Sequence, residues 1–397
     1  MEWVHVACAI CGAEDADPIY RRTHHAGPTL GRFEKTDVLC NRCGFMYTSP
    51  RPSPEDMRRH YASASEASGS VFHRSEPGSR LHRLVTERVR FIESRLPDRA
   101  DREPGRVLDV GCATGDLLAG LEARLPGWRR VGLEPSRSAA RAAAARGIEV
   151  HEGDLEGAMP EGPFEIVTCI SALEHFWDPR SALERIARAL APEGLLFVEV
   201  PDSLRPVAQI AEFYSWEHLS HFTRSSLECC LASVGLVPIA FDEEVGIPNL
   251  RVCARRAAAG EVLATRAGDD GAALRAAVDR HREARERFEQ GLVERLGGRF
   301  ARWRAEGARV GVYGAGMHTR FLSDLLDLDD AVACVFDSDP GKIGGRFLDW
   351  PVHGPEALAA LDLDAVVIST HAFEDEVFAA IAPTAAARGI EVVRCYG

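Results

Sequence analysis

Val107-Leu108-Asp109-Val110-Gly111-Cys112-Ala113-Thr114-Gly115-Asp116-Leu117-Leu118 decides how this 397-residue chain folds. Apolar, partly β-branched positions run into an acid and then a glycine-spaced turn. Leu117, Leu118, Leu121 and Leu125 follow at helical spacing. The stretch reads as strand, tight turn and helix, the opening unit of a doubly wound α/β domain. Glycine lets the backbone turn sharply and approach a ligand that any side chain would hold off. Nineteen residues beyond Gly115, Val131-Gly132-Leu133-Glu134 ends a second strand on an acid. A carboxylate there can accept hydrogen bonds from two ribose hydroxyls.

A dinucleotide and an adenosyl sulfonium both fit a glycine turn with a ribose acid, so spacing must discriminate. Dinucleotide turns use G-x-G-x-x-G and face a pyrophosphate with a helix N-terminus. Here the glycines are Gly111 and Gly115, and Asp109 precedes them. That anion would repel pyrophosphate but suits a ligand carrying an ammonium group. The segment resembles motif I of the class I S-adenosylmethionine-dependent methyltransferases. The resemblance implies S-adenosyl-L-methionine, with Asp109, Gly111 and Gly115 around its methionine half, Glu134 on its ribose and Asp154 near its adenine. Cys112, Ala113, Pro135, Leu155 and Ser171 are expected as neighbouring members of the same cradle. Ala113 stands where the family most often has glycine.

A formal net charge of −13 argues against a large nucleic-acid footprint, which would need a basic face. No apolar run is long enough to span a bilayer, and 1–5 lacks the charged and apolar regions of a signal peptide. Eleven cysteines, an odd number mostly scattered singly, point to a reduced, cytoplasmic protein.

Four of those cysteines are organised. Cys8-Ala9-Ile10-Cys11-Gly12 is matched by Cys40-Asn41-Arg42-Cys43-Gly44. Each is a knuckle whose two thiolates can point at one ion, and two knuckles complete a tetrahedral sulfur site suited to zinc. Four thiolates close the coordination shell, so the expected Zn2+ is structural. Two disulfides are the alternative. The long gap between knuckles predicts a hairpin or loop of its own, and His24 and His25 are expected in a solvated or substrate-facing loop.

The expected organisation is a zinc-ribbon-like module over 1–60, a small polar linker or lid over 61–80, and the doubly wound domain over 81–256. A helical bridge over 257–306 and a Rossmann-like α/β domain over 307–397 complete it. The bridge carries an apolar stripe at helical spacing, broken or kinked at Gly297-Gly298, which leaves monomer and homodimer both open. In the last domain Gly314-Ala315-Gly316-Met317-His318-Thr319 opens a second strand–turn–helix unit. Taken alone it suggests NAD, but Thr319 replaces the final glycine of the fingerprint.

Within 81–256 a fourth strand ends at Ser171-Ala172-Leu173-Glu174-His175, so His175 falls where ligands collect in open α/β sheets. The segment Phe213-Tyr214-Ser215-Trp216-Glu217-His218-Leu219-Ser220-His221-Phe222 sets ionisable groups among aromatics. Burial would tune them for proton transfer. A hydrogen-bonded Glu217–His218 pair with only a structural role is the alternative. Knuckles, motif I and this segment together resemble the deoxysugar C-methyltransferases of natural-product pathways. That resemblance implies a nucleotide-linked keto sugar as acceptor, bases at Glu217 and His218, and His175 nearby. Tyr214 and His221 complete the expected catalytic set, although Ser215 stands where the family has its tyrosine. O-methylation, an NAD-dependent oxidoreductase and a zinc-ribbon module reading RNA are the competing readings.

Overall fold

The computed structural model describes residues 2–25, 31–67, 79–96, 103–157, 159–210, 213–243, 245–263, 270–326, 328, 330–371 and 373–396. The chain divides into two compact units, Met1–His281 and Arg282–Gly397. The boundaries expected near 60 and 256 both fall inside the first.

In the first unit, each knuckle closes a tight turn. The Gly12 N–H donates to the Cys8 carbonyl at 2.8 Å and the Gly44 N–H to the Cys40 carbonyl at 2.9 Å. Both glycines are left-handed, at φ +70° and +71°, which a side chain would resist. Between the knuckles runs the hairpin β1 (Ala16–His25) and β2 (Arg32–Cys40), followed by β3 (Met46–Thr48). His24 is buried on β1, its ring 6.3 Å from that of Phe33, rather than solvated in a loop. The helix α1 (Pro54–Ala67) runs into the tract expected to be a linker or lid, so that part is helical. Residues 68–78 of the tract lie outside the described residues. Then α2 (Arg80–Glu93) starts at Ser79, whose hydroxyl accepts from the His82 N–H, and buries Val85, Val89 and Ile92 on one face.

The central sheet is built from β4 (Arg106–Val110), α3 (Asp116–Glu122), β5 (Arg129–Glu134), α4 (Arg137–Ala144), β6 (Glu149–Glu152), β7 (Phe164–Ile170), α5 (Pro179–Ala189) and β8 (Leu190–Pro201). The short strand β9 (Ser220–His221), α6 (Arg224–Ala232), β10 (Leu236–Phe241) and β11 (Asn249–Arg256) follow. Seven strands lie in the order β10-β11-β8-β7-β4-β5-β6. Those from β6 to β8 are parallel, and β11 pairs antiparallel with both β8 and β10. β4 and β7 are adjacent, with later strands continuing outward on either side, which opens a crevice at their carboxyl ends. β9 leaves this sheet and pairs with β3, so the smaller sheet runs β9-β3-β2-β1. The histidine-rich segment is thereby an edge of the cysteine-bearing module.

The long helix α7 (Gly271–Leu292) passes through a π turn at Val293–Gly297 into α8 (Gly298–Glu306). The break expected at Gly297-Gly298 is therefore a local rewinding that keeps the chain helical. The second unit continues with β12 (Val310–Tyr313), α9 (Met317–Leu325), β13 (Val332–Phe336), β14 (Arg346–Phe347), β15 (Trp350–His353), β16 (Ala365–Ile368), α10 (Glu374–Arg388) and β17 (Glu391–Arg394). Its strands lie in the order β14-β15-β13-β12-β16-β17, parallel except at the β14–β15 edge. Val310, Val312, Val335 and Val367 make its sheet core. Among the described residues no helix is long and apolar enough to cross a membrane.

Candidate functional site

The turn after β4 is shaped by two left-handed glycines, Gly111 at φ +77° and Gly115 at φ +76°. A Cβ on Gly115 would lie 2.3 Å from the terminal methyl Ile148 Cδ1 and 3.2 Å from Ala143 Cβ, and the left-handed backbone where α3 begins strains any side chain. Ala113 is also left-handed, at φ +47°, a conformation that costs an alanine roughly 1 kcal/mol or more. Its N–H donates to Glu134 Oε2 at 2.9 Å, while the Ser136 N–H donates to Oε1 at 2.8 Å. Glu134 is thus fixed at the end of β5, with one donor on each oxygen and lone pairs remaining for two hydroxyls. Burial raises its pKa, against the pull of those two N–H groups. The cradle fits an adenosyl ligand.

The other expected members take distinct places. Asp109 is buried, and its Oδ1 accepts from the Thr168 hydroxyl on β7 at 2.6 Å. Burial pushes its carboxyl up to about 7, so without a cation beside it Asp109 is not the full anion expected from the sequence. Cys112 packs down onto β5, its Sγ 2.4 Å from where a Cβ on Gly132 would sit. Leu155 is likewise core, and Pro135 is exposed. Asp154 accepts from the Gly157 N–H at 2.8 Å and so closes a turn after β6. Ser171, exposed at the end of β7, is left-handed at φ +48°. Ala172 Cβ lies 3.2 Å from where a Cβ on Gly111 would stand, so the loop after β7 rests directly on the turn after β4.

Cys8 Sγ lies 3.5 Å from Cys43 Sγ, and Cys11 Sγ 3.5 Å from Cys40 Sγ. All four sulfurs fall within 4.8 Å of one another. Those pair distances are far beyond the ~2.05 Å of a disulfide and near the separation set by ~2.3 Å zinc–sulfur bonds. The cluster is compatible with structural zinc, and the disulfide alternative is set aside.

The loop after β7 carries His175 to the same edge as His218. Their rings meet edge to face with centroids 4.8 Å apart. His175 Nδ1 donates to the Glu217 carbonyl at 3.1 Å, and His218 Nδ1 to the Phe213 carbonyl at 2.8 Å. A carbonyl only accepts, so each Nδ1 carries the proton and each Nε2 keeps a lone pair. Burial lowers both imidazole pKa values, His218 well below its usual 6.5. The Glu217 carboxylate lies 3.5 Å from His60 Nε2 rather than against His218. Burial works to raise its pKa, and the His60 and His175 rings outweigh it. The structural Glu217–His218 pair is therefore replaced by separate partners for each.

Two expected catalytic groups point elsewhere. His221 is taken up by Asp37, 3.1 Å away, and the Lys35 ammonium lies 3.5 Å from its Nε2. Tyr214 is core, its ring packed on Tyr20, His281, Phe213 and His221. The sequence reading missed Lys35 and Asp37. Lys35 is buried on β2, paired with Asp37 at 3.1 Å, and donates to the carbonyls of Ser215 at 3.0 Å and His218 at 2.8 Å. Two charges alternating inward on a strand were the available signal. Their partners lie about 180 residues away in sequence. Also missed was Glu174, buried beside His175, whose two carboxyl oxygens have no hydrogen-bond partner among the described residues. Burial pushes it up to about 8.

In the second unit, Asp337 at the end of β13 accepts from the Ala315 N–H at 2.9 Å, as Glu134 does from Ala113. Here, however, Lys342 Nζ also lies 3.2 Å from the same oxygen. Thr319 is fully buried and bonded to the Gly314 carbonyl and Ser369, filling the place of the fingerprint's last glycine.

Residues 80–240 match the family described as a methyltransferase domain. C-methyltransferase NovU of Streptomyces niveus is 29% identical over 248 residues, covering 58% of this chain and 55% of NovU. The ubiquinone biosynthesis O-methyltransferase of Xanthomonas oryzae is 34% identical over 130 residues, covering 31% of this chain and 52% of that one. S-adenosylmethionine-bound CalS10, an amino pentose methyltransferase from Micromonospora echinaspora, aligns at a TM-score of 0.35 and 20% identity. That alignment covers 45% of this chain and 92% of CalS10. The chain spans about half the length of the curated relatives it matches. The glycine turn and the ribose acid both lie inside residues 80–240, the stretch that matches the methyltransferase domain family.

Proposed function

We propose that this protein methylates a carbon of a nucleotide-linked keto sugar. The observation that carries the reading is the pairing of His175 and His218, with Glu217 beside them, at the sheet edge that also holds the Glu134 cradle. S-adenosylmethionine supplies an electrophilic methyl group, so the protein must align the acceptor and remove a proton from it. A carbon next to a carbonyl loses its proton to a base from this cluster. The electron pair left on carbon forms the new bond to the methyl group, and the pair of the broken sulfur–carbon bond returns to sulfur. Glu217 suits that step, because a base must be deprotonated at working pH and, against the effect of burial, the His60 and His175 rings lower its pKa. The resemblance to C-methyltransferase NovU supports carbon as the methylated atom.

The O-methyltransferase relative supports a second reading, in which the same base serves a hydroxyl. Four cysteines arranged to hold one metal ion fit a cytoplasmic setting. Incubating the protein with methyl-labelled S-adenosylmethionine and a panel of nucleotide keto sugars separates the readings. Label on carbon, located by NMR, is expected. Label only on oxygen would favour the second reading, and NAD binding without S-adenosylhomocysteine binding would remove both.

A further inference from the structure

Three metal-ligating groups converge where the loop after β7 meets the histidine-rich segment. They are the Glu174 carboxylate and the Nε2 atoms of His175 and His218. We propose that these three groups form a second metal site, which takes one divalent transition-metal ion.

The ligand atoms all lie within 4.8 Å of one another, and His175 Nε2 is 4.0 Å from Glu174 Oε1. An ion at about 2.1 Å from each would draw them to roughly 3 Å apart, an adjustment within reach of side-chain rotation. Both imidazoles donate their Nδ1–H to backbone carbonyls, of Glu217 and of Phe213, which orients each Nε2 inward and raises its basicity. Glu174 is 1% exposed and neither of its oxygens has a hydrogen-bond partner among the described residues. A buried carboxylate without a donor is costly, and a cation is what would satisfy it. The Lys35 ammonium behind His218 is balanced by Asp37 at 3.1 Å, and Glu217 is held by His60 at 3.5 Å.

Two imidazoles and one carboxylate suit Fe2+, Mn2+, Co2+ or Zn2+ and leave coordination positions open. The four-thiolate site, being soft and closed, is chemically different. The open positions would take oxygens of the acceptor, such as a sugar carbonyl and its neighbouring hydroxyl. That role rests on the proposed methyl transfer, whereas metal binding does not. With both imidazoles committed to the ion, Glu217 is left to take the acceptor's proton.

The test uses the full chain, stripped by a chelator and titrated with Co2+ alone. Two equivalents are expected, one with thiolate-to-cobalt charge-transfer absorption and one with weak d–d bands only. Glu174→Gln, nearly isosteric, and His218→Ala should each lose the second equivalent while keeping the thiolate bands. Unchanged circular dichroism and S-adenosylhomocysteine affinity in the two variants separate ligand loss from misfolding. Saturation of the wild type at the thiolate equivalent, or both equivalents persisting in folded variants, overturns the site. Two equivalents in a protein that transfers no methyl group would leave the site standing and overturn the function.

Discussion

The Lys35 ammonium, on a strand between the two cysteine knuckles, donates to the His218 carbonyl at 2.8 Å. The cysteine-bearing module thus grips the backbone of the segment that presents His218 and Glu217. Lys35 is fully buried, and desolvation lowers its pKa against the pull of Asp37. Its role is to position the loop, since it bonds two carbonyls there and none of the expected cofactor-binding groups.

Replacing that clamp should slow methyl transfer without loosening the cofactor. Lys35→Met keeps the stem and removes both carbonyl bonds. A displacement of the loop by about 1 Å would lower kcat/KM by about 100-fold. Calorimetry should find S-adenosylhomocysteine affinity within about twofold of wild type; a parallel loss of affinity would show a general unfolding instead.

Glu134→Ala should have the reverse signature. It removes the carboxylate that the Ala113 and Ser136 N–H groups hold in place. Losing a charged hydrogen-bond acceptor for ribose costs roughly 1.5–3 kcal/mol, about 10–100-fold in S-adenosylhomocysteine affinity. Titration calorimetry measures it directly.

The turn itself offers a matched pair of variants. Gly115→Ala puts a methyl group 2.3 Å from Ile148 Cδ1 at φ +76° and should cost more than about 2 kcal/mol in urea denaturation. Ala113→Gly relieves an alanine held at φ +47°, partly offset by the entropy glycine gains when unfolded. A gain of about 0.5 kcal/mol is expected.

Asp109 makes stability depend on pH. Its folded pKa of about 7 lies above the ordinary 3.8, so the native state favours the neutral acid. The stability this contributes is complete below about pH 4 and is lost as pH rises through about 7. Asp109→Asn, which cannot ionise, should therefore gain on the ligand-free wild type as pH rises across that window. A stability difference between the two proteins that does not change with pH would contradict the raised pKa.

The chemistry written into contiguous residues was legible before any coordinates. Strand, turn and helix at Val107–Leu118, the acid at Glu134 and the paired knuckles at Cys8–Gly12 and Cys40–Gly44 each fit within one local stretch. Backbone conformation and short-range spacing determine them. The sequence also named His175, Glu217 and His218, because their neighbours in the chain are distinctive.

Tertiary structure alone decided what those side chains face. It withdrew Tyr214 into an aromatic core and gave His221 to Asp37. It joined Glu217 to His60 and set Glu174 beside two imidazoles. It brought Lys35 to a loop about 180 residues away. Each of these depends on which distant strands and loops pack together, and a buried charge finds its partner through that packing rather than through its neighbours in the chain.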